Sequence, residues 1–206
     1  MNIIIQGPQA CGKGTQARLL CEKYGWLHLE MGKILRSIAN SDNPHATKIH
    51  DTLNSGGLVP DELVRLISWD FIKKHHERGL VFEGYPRSIA QYEHLQDMLK
   101  KFNKRINALI SINIPEVESI RRMSDRRTCL RCGRVYIVGE AQKCECGGEL
   151  VLREDDKPQA IKKRLQIYHQ QTRPVFERAK DEGIAITIDG MHPIAQVHEK
   201  ICASLA

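Results

Sequence analysis

Gly7-Pro8-Gln9-Ala10-Cys11-Gly12-Lys13-Gly14-Thr15 has the residue types and spacing of an anion cradle. It follows the apolar run Ile3-Ile4-Ile5 and opens a helix-forming stretch, Gln16-Ala17-Arg18-Leu19-Leu20. In a strand, glycine loop, helix arrangement, backbone N–H groups and a helix N-terminus converge on phosphate oxygens, and Lys13 adds a mobile positive charge. The chemistry implied is binding and moving nucleotide phosphate. Gly14 stands between Lys13 and Thr15, where most such loops place the Ser or Thr that ligates Mg2+. The metal would then be held by the phosphates and by water, which suits small-molecule phosphotransferases better than motor or switch ATPases.

Three further groups carry chemistry. Cys129-Leu130-Arg131-Cys132 and Cys144-Glu145-Cys146 are two thiol pairs, each followed by turn glycines, Gly133 and Gly147-Gly148. Such pairs bring four sulfurs toward a tetrahedron for zinc, and a disulfide or free thiols are the other readings. With no histidine in the set, the metal would be structural. Leu80-Val81-Phe82-Glu83-Gly84-Tyr85-Pro86-Arg87 reads as a buried strand delivering Glu83 to the sheet edge where ligands bind, with Arg87 placed to fork onto a phosphate. Glu83 is then in position to hold a water of the Mg2+ shell. Arg122, Arg126, Arg153 and Arg164 flank the cysteine segment. Singly each reads as a solvated charge; on a lid they would close over triphosphate oxygens and exclude water.

Those residues need a scaffold that alternates strand and helix. Strands are expected at Asn2–Gln6, Leu27–Leu29, Leu80–Phe82, Ala108–Ile114 and Ile184–Ile188. Helices are expected at Lys13–Tyr24, Asp61–His76, Ser88–Phe102, Glu116–Arg126, Lys157–Lys180 and Pro193–Leu205. Alternation of this kind predicts an α/β fold with a parallel sheet between helix layers. On the helix from Asp61, Leu63, Leu66, Ile67 and Phe71 are expected to form the core stripe. Met31–Gly57 and Thr128–Leu152 break the rhythm and read as mobile inserts, the second with a strand-like piece at Arg134–Val138.

Bulk properties narrow the class. A chain of 206 residues that is 41% hydrophobic can bury a core, and no apolar run approaches the ~20 residues of a membrane span. No signal-peptide pattern precedes the first strand, and an odd number of cysteines, 7, suits a reducing cytoplasm. The net charge is +6, and Arg121–Arg164 alone holds 12 Lys or Arg against 7 Asp or Glu. A solvated face, a nucleic-acid patch and a polyphosphate cluster all fit that surplus, but the lack of basic-aromatic interleaving argues against nucleic acid.

Taken together, these motifs resemble adenylate kinase in its long-lid, zinc-containing form, from Ile3 to about Val197. The likeness runs through Gly7–Thr15, Met31-Gly32 to Arg36, Gly57-Leu58-Val59, Gly84–Arg87 with Gln91, the Arg122/Arg126/Arg127 run, the four cysteines, Arg153–Asp156, Lys163–Leu165 and Asp189-Gly190. It implies a P-loop three-layer sandwich with a five-stranded parallel sheet. Residues 1–29, 60–126 and 161–206 would form the core, 30–59 a helical NMP-binding insert, and 127–160 a zinc-binding lid. It also implies the reaction ATP + AMP ⇌ 2 ADP with Mg2+, and a monomer or trimer.

Carried over by position, Ala10, Cys11, Gly12, Lys13, Gly14 and Thr15 would wrap the donor phosphates. Arg122 and His192 would border the donor base, and Val135 and Tyr136 would approach it from the lid. Met31, Arg36, Gly57, Leu58, Val59, Gly84, Tyr85, Pro86, Arg87 and Gln91 would hold the acceptor. Arg126, Arg153 and Arg164 would clamp the phosphates, with Asp155 and Asp156 in closed-lid contacts or the metal's outer shell. Cys129, Cys132, Cys144 and Cys146 would bind zinc. The chain departs from the family at Ala10 for glycine, Glu83 for aspartate, Met31 for threonine and Lys33 for aspartate. Losing the threonine predicts broader base tolerance. A GTP:AMP kinase or a UMP/CMP kinase is the neighbouring alternative.

Overall fold

Ile3 and Ile5 point to one face of their strand and Ile4 to the other, and all three are buried, so this strand must be covered on both sides. The computed structural model, which describes residues 1–205, shows how. The chain begins β1 (Asn2–Gln6), α1 (Lys13–Tyr24), β2 (Leu27–Glu30), α2 (Met31–Ala39), α3 (Ala46–Asn54), α4 (Asp61–His75) and β3 (Leu80–Glu83). It continues α5 (Ile89–Lys100), β4 (Ala108–Asn113), α6 (Glu116–Asp125), β5 (Arg126–Cys129), β6 (Val135–Ile137) and β7 (Leu150–Val151). It ends α7 (Pro158–Ile167), α8 (Arg173–Asp181), β8 (Ala185–Asp189) and α9 (Ile194–Leu205).

The five parallel strands lie in the order β2-β3-β1-β4-β8. One core layer joins Ile4, Leu80, Phe82 and Leu109 to Leu35, Val64, Tyr92, Leu95 and Val175 of the helices. The other joins Ile3, Ile5, Val81, Ile110 and Ile112 to Ala17, Leu20, Val197 and Ile201. The expected three-layer α/β sandwich is therefore present. Because β1 leads to β2 on one side while β4 lies on the other, the loop after β1 sits at the switch point of the sheet, where α/β folds bind ligands.

Two helical expectations are corrected. The stretch 157–180 is not one helix: α7 and α8 are separated by a π-helical turn, Tyr168–Thr172. Pro174 near the start of α8 has no N–H to donate to the preceding turn and crowds its carbonyls, which breaks the regular ladder. On α4 the buried line is Val64, Ser68 and Ile72, and Leu66 is 53% exposed. Leu63, Ile67 and Phe71 only border the core, so the real face is rotated from the expected stripe. Other boundaries shift by one or two residues: β4 stops at Asn113, α6 at Asp125, α5 spans Ile89–Lys100, and Val135–Ile137 replaces Arg134–Val138.

The two segments that break the rhythm are both folded. α2 and α3 fill the first. In the second, β6-β5-β7 form a small antiparallel sheet that leaves Val135, Ile137 and Val138 exposed. No described helix is long and apolar enough to cross a membrane.

Candidate active site

Gly7 carries φ 145°, and a β-carbon there would meet the Ile112 carbonyl oxygen at 2.2 Å, so only glycine lets β1 turn into the loop. Gly12, at φ 99°, caps α1, whose first residue is Lys13. The Lys13 ammonium donates to the carbonyls of Gly7 (3.0 Å) and Pro8 (2.6 Å), folded across its own loop. Neighbouring elements pin that loop. Ser119 Oγ donates to the Gln9 carbonyl (2.7 Å) and Gln9 Nε2 to the Arg164 carbonyl (3.2 Å). Ala10 stands at φ 57°, a left-handed conformation that costs a non-glycine residue roughly 1–2 kcal/mol. Ala10→Gly, which relieves that strain at some cost in unfolded-chain entropy, is expected to raise stability by about 0.5–1 kcal/mol, read from the urea midpoint.

At the sheet edge, five arginines gather from separate elements. Arg36 lies on α2 and Arg87 follows β3. Arg126 starts β5, Arg153 follows β7, and Arg164 lies on α7. Loss of water is the largest influence on Arg36 and Arg164, and with other arginines nearby it pulls each guanidinium down to about 10. Burial lowers Arg87 too. Arg126 pairs with Asp156, Arg153 with Asp155, and Arg164 Nη1 reaches Asp155 at 3.1 Å and Asp156 at 3.0 Å. Arg36 and Arg87 have no carboxylate partner among the described residues; Arg87 Nε donates only to the Gly84 carbonyl (3.1 Å). Two half-buried guanidiniums with no carboxylate in ion-pair contact can take an anion.

Asp155 is the counterweight. Burial pushes its carboxyl up, but Arg164 and Arg153 outweigh that and hold it down to about 2. A folded pKa below the unfolded value contributes stability that is complete above about pH 4 and lost as pH falls toward 2. Asp155→Asn is therefore expected to cost about 2 kcal/mol at neutral pH, with the difference from wild type vanishing near pH 2 in parallel urea titrations.

Glu83 ends β3 beside the loop, where a β-carbon on Gly14 would lie 3.4 Å from Glu83 Oε2. Burial opposes its charge, yet His28, whose Nε2 lies 3.0 Å from Oε2, together with Lys13 and Arg87, holds the carboxyl below its ordinary range. Gln91 is placed by the Ser88 cap, which accepts from the Gln91 N–H (3.2 Å). Its amide donates to Asp61 Oδ1 (2.6 Å) and accepts from the Arg87 N–H (2.7 Å), leaving one N–H and one lone pair for other partners.

Other residues singled out from the sequence take varied places. Met31 is 1% exposed, its side chain packed in the core, and Val59, Tyr85 and Pro86 are buried as well. Gly57 and Leu58 are partly exposed. Arg122 Nη1 and Nη2 reach toward the carbonyls of Ala10 (3.5 Å) and Gly190 (3.3 Å), bridging the loop to the end of β8. His192 lies just beyond, 3.3 Å from Asp189. Val135 is exposed on β6, whereas the Tyr136 hydroxyl donates to Cys144 Sγ (3.4 Å). Gln9, Ser119, His28 and Thr172 went unread in the sequence. Thr172 Oγ1 donates to the Arg87 carbonyl (3.1 Å), and its own carbonyl accepts from Gln6 (2.7 Å). Only the π turn brings it there.

The thiols of Cys129, Cys132, Cys144 and Cys146 lie within 4.8 Å of one another, with sulfur separations of 3.4–3.5 Å where paired. Four sulfurs about 2.3 Å from one zinc would stand roughly 3.8 Å apart, so the set fits a tetrahedral metal and is too wide for a disulfide. Gly148 permits the approach: a β-carbon there would sit 2.6 Å from Cys129 Sγ.

A P-loop at the sheet's switch point with five arginines gathered at the same edge is the arrangement of a nucleotide phosphotransferase. The family model for adenylate kinase matches residues 5–184. A protein named adenylate kinase from Archaeoglobus fulgidus is 39% identical, over 100% of this chain and 98% of its own length. Those from Agathobacter rectalis and Methanothrix thermoacetophila are each 37% identical, over 100% of this chain and 99% of theirs. The chain belongs to the adenylate kinase family, enzymes that exchange phosphate between ATP and AMP with Mg2+.

Proposed function

We propose that ATP sits on Ala10–Thr15 and AMP on the α2–α3 side, and that closure of the 127–160 lid and the 30–59 insert over the 1–29, 60–126 and 161–206 core commits them to transfer. The carrying observation is the Arg36–Arg87 pair, cationic, half-buried and without carboxylate partners. These two arginines take the acceptor phosphate. Gly57, Leu58, Val59, Gly84, Tyr85, Pro86, Met31 and Gln91 border the rest of the acceptor. Arg122 and His192 border the donor base, with Val135 and Tyr136 on the lid side.

Close approaches of the insert to the lid at Gly133 and to the core at Lys163 support the closure. A β-carbon on Gly133 would lie 3.9 Å from Lys33 Cε, and Lys163 Nζ is 3.5 Å from Ser55 Oγ. Arg126, Arg153 and Arg164, held by Asp155 and Asp156, then neutralise the charge that develops on the transferring group. Lys13 bridges its donor side. No general base is required, because the acceptor is already a phosphate anion; positioning and exclusion of water supply the rate. Bound Mg2+ supplies charge neutralisation at the donor phosphates, and ionised Glu83 is placed to orient its water. Zinc at the four cysteines holds the lid together. A cytoplasmic location suits free thiols of this kind.

Met31 offers no polar group for a base edge, which supports relaxed acceptor selectivity. The test is a steady-state panel of AMP, GMP, CMP and UMP against ATP, GTP, CTP and UTP. AMP with ATP is expected to turn over, with other acceptors within about 10²-fold in kcat/KM. No turnover of AMP, together with steeply salt-dependent oligonucleotide binding, would instead indicate a nucleic-acid module.

A further inference from the structure

Two carboxylates meet on the β2–β3 edge. Glu30 and Glu83 are direct neighbours in the strand register, a like-charge pairing that destabilises a sheet. His28 lies two residues before Glu30 and so projects from the same face of β2. One ligand atom from each of the three falls within 4.8 Å of the others, and His28 Nε2 is 3.0 Å from Glu83 Oε2. The Glu30 carboxylate has no hydrogen-bond or ion-pair partner among the described residues.

The geometry points to a divalent-cation site at His28, Glu30 and Glu83 that binds a first-row metal such as Mn2+ by direct ligation, with no nucleotide present. Ligand atoms about 2.1 Å from an octahedral ion stand roughly 3.0 Å apart when adjacent and 4.2 Å when opposite; the His28–Glu83 separation of 3.0 Å matches an adjacent pair, and Glu30 lies within 4.8 Å of both. One imidazole with two carboxylates favours Mn2+ or Co2+ over Mg2+, which prefers an all-oxygen shell. Lys13 and Arg87 near Glu83, and Lys33 and Arg36 near Glu30, oppose the ion and keep its affinity moderate. The site adjoins Gly14, so an ion held there lies beside the donor loop. Binding itself does not depend on the assignment of the nucleotide sites.

The test uses the nucleotide-free protein with its four cysteines saturated by zinc, so that added Mn2+ reports only on this site. Mn2+ titration followed by electron paramagnetic resonance is expected to show one bound ion, with 14N modulation from the imidazole in pulsed spectra. His28→Gln is expected to abolish that modulation, and both it and Glu30→Gln to weaken Mn2+ at least about tenfold. Circular dichroism confirms that each variant is folded. The inference is overturned if Mn2+ is not retained at millimolar concentration, if it binds without 14N coupling, or if folded variants bind it as wild type does. Phosphotransfer with Mg2+ is measured separately: activity without Mn2+ retention refutes this site and leaves the proposed function standing.

Discussion

Lys13→Ala is expected to lower kcat by about 10³-fold or more while leaving the melting temperature within a few degrees of wild type. The ammonium carries three donors, and two are spent on the Gly7 and Pro8 carbonyls, at 3.0 and 2.6 Å. Those bonds hold the charge over the loop, so little rearrangement is needed for it to meet phosphate oxygens. As structural ties they matter less: Gly7 and Pro8 are buried, and leaving their carbonyls short of one donor costs about 1–2 kcal/mol, a few degrees of melting temperature in a chain of this length. The charge matters most when negative charge shifts toward the bridging oxygen, so the loss should fall on kcat more than on the KM for ATP. Lys13→Arg should not restore the rate: a planar fork cannot fold back on the two carbonyls as a compact ammonium does. Single-turnover mixing of ATP and AMP separates this chemistry from product release. A fall of less than tenfold in that step would show that the arginines alone carry the transferring charge.

Local patterns that depend on neighbours in the chain were legible. The Gly7–Thr15 loop, the β1 and α1 bounds and the two thiol pairs with Gly133 and Gly147 at positive φ all follow from short-range geometry. Contacts made by distant segments were not. Thr172 reaches Gln6 and Arg87 only because a π turn replaces regular helix, and Pro174 was the one local sign of it. His28 sits in an ordinary alternating strand, and its meeting with Glu83 depends on the β2–β3 register. The α4 stripe misled because Ser68, polar by type, satisfies its hydroxyl on the Val64 carbonyl (2.8 Å) and so can be buried while Leu66 stays outside. Met31 was singled out from the resemblance as an acceptor contact, and only the packing shows its side chain turned into the core.

Removing zinc, by chelation or by Cys144→Ser, is expected to unfold the lid while the parallel sheet stays intact. The lid has little else to hold it. Its strands are three, four and two residues long, and Leu130, Val135, Ile137 and Val138 are all 40% exposed or more. Such a sheet is too short and too wet to be stable alone. Between residues 127 and 152, Cys129 and Cys144 are the buried residues, and tight turns close beside the thiols, with Gly133 N–H bonded to the Cys129 carbonyl (2.9 Å) and Gly147 N–H to the Cys144 carbonyl (2.7 Å). Metal binding therefore takes the part that apolar burial plays elsewhere, and its loss costs the lid several kcal/mol. The core layers do not include these cysteines, so the main melting transition should move by only a few degrees. The effect on activity should be large, because Arg126 and Arg153 stand at the ends of β5 and β7 and lose their placement with the sheet. Native mass spectrometry should find one zinc per wild-type chain and none in Cys144→Ser. Limited proteolysis should cut the variant within residues 130–150 at least tenfold faster, a difference that follows the open population of the lid. Equal cleavage of the zinc-loaded and zinc-free forms would mean that the β6-β5-β7 sheet is held by its backbone ladder and by ion pairs such as Arg134–Glu145, with the metal incidental.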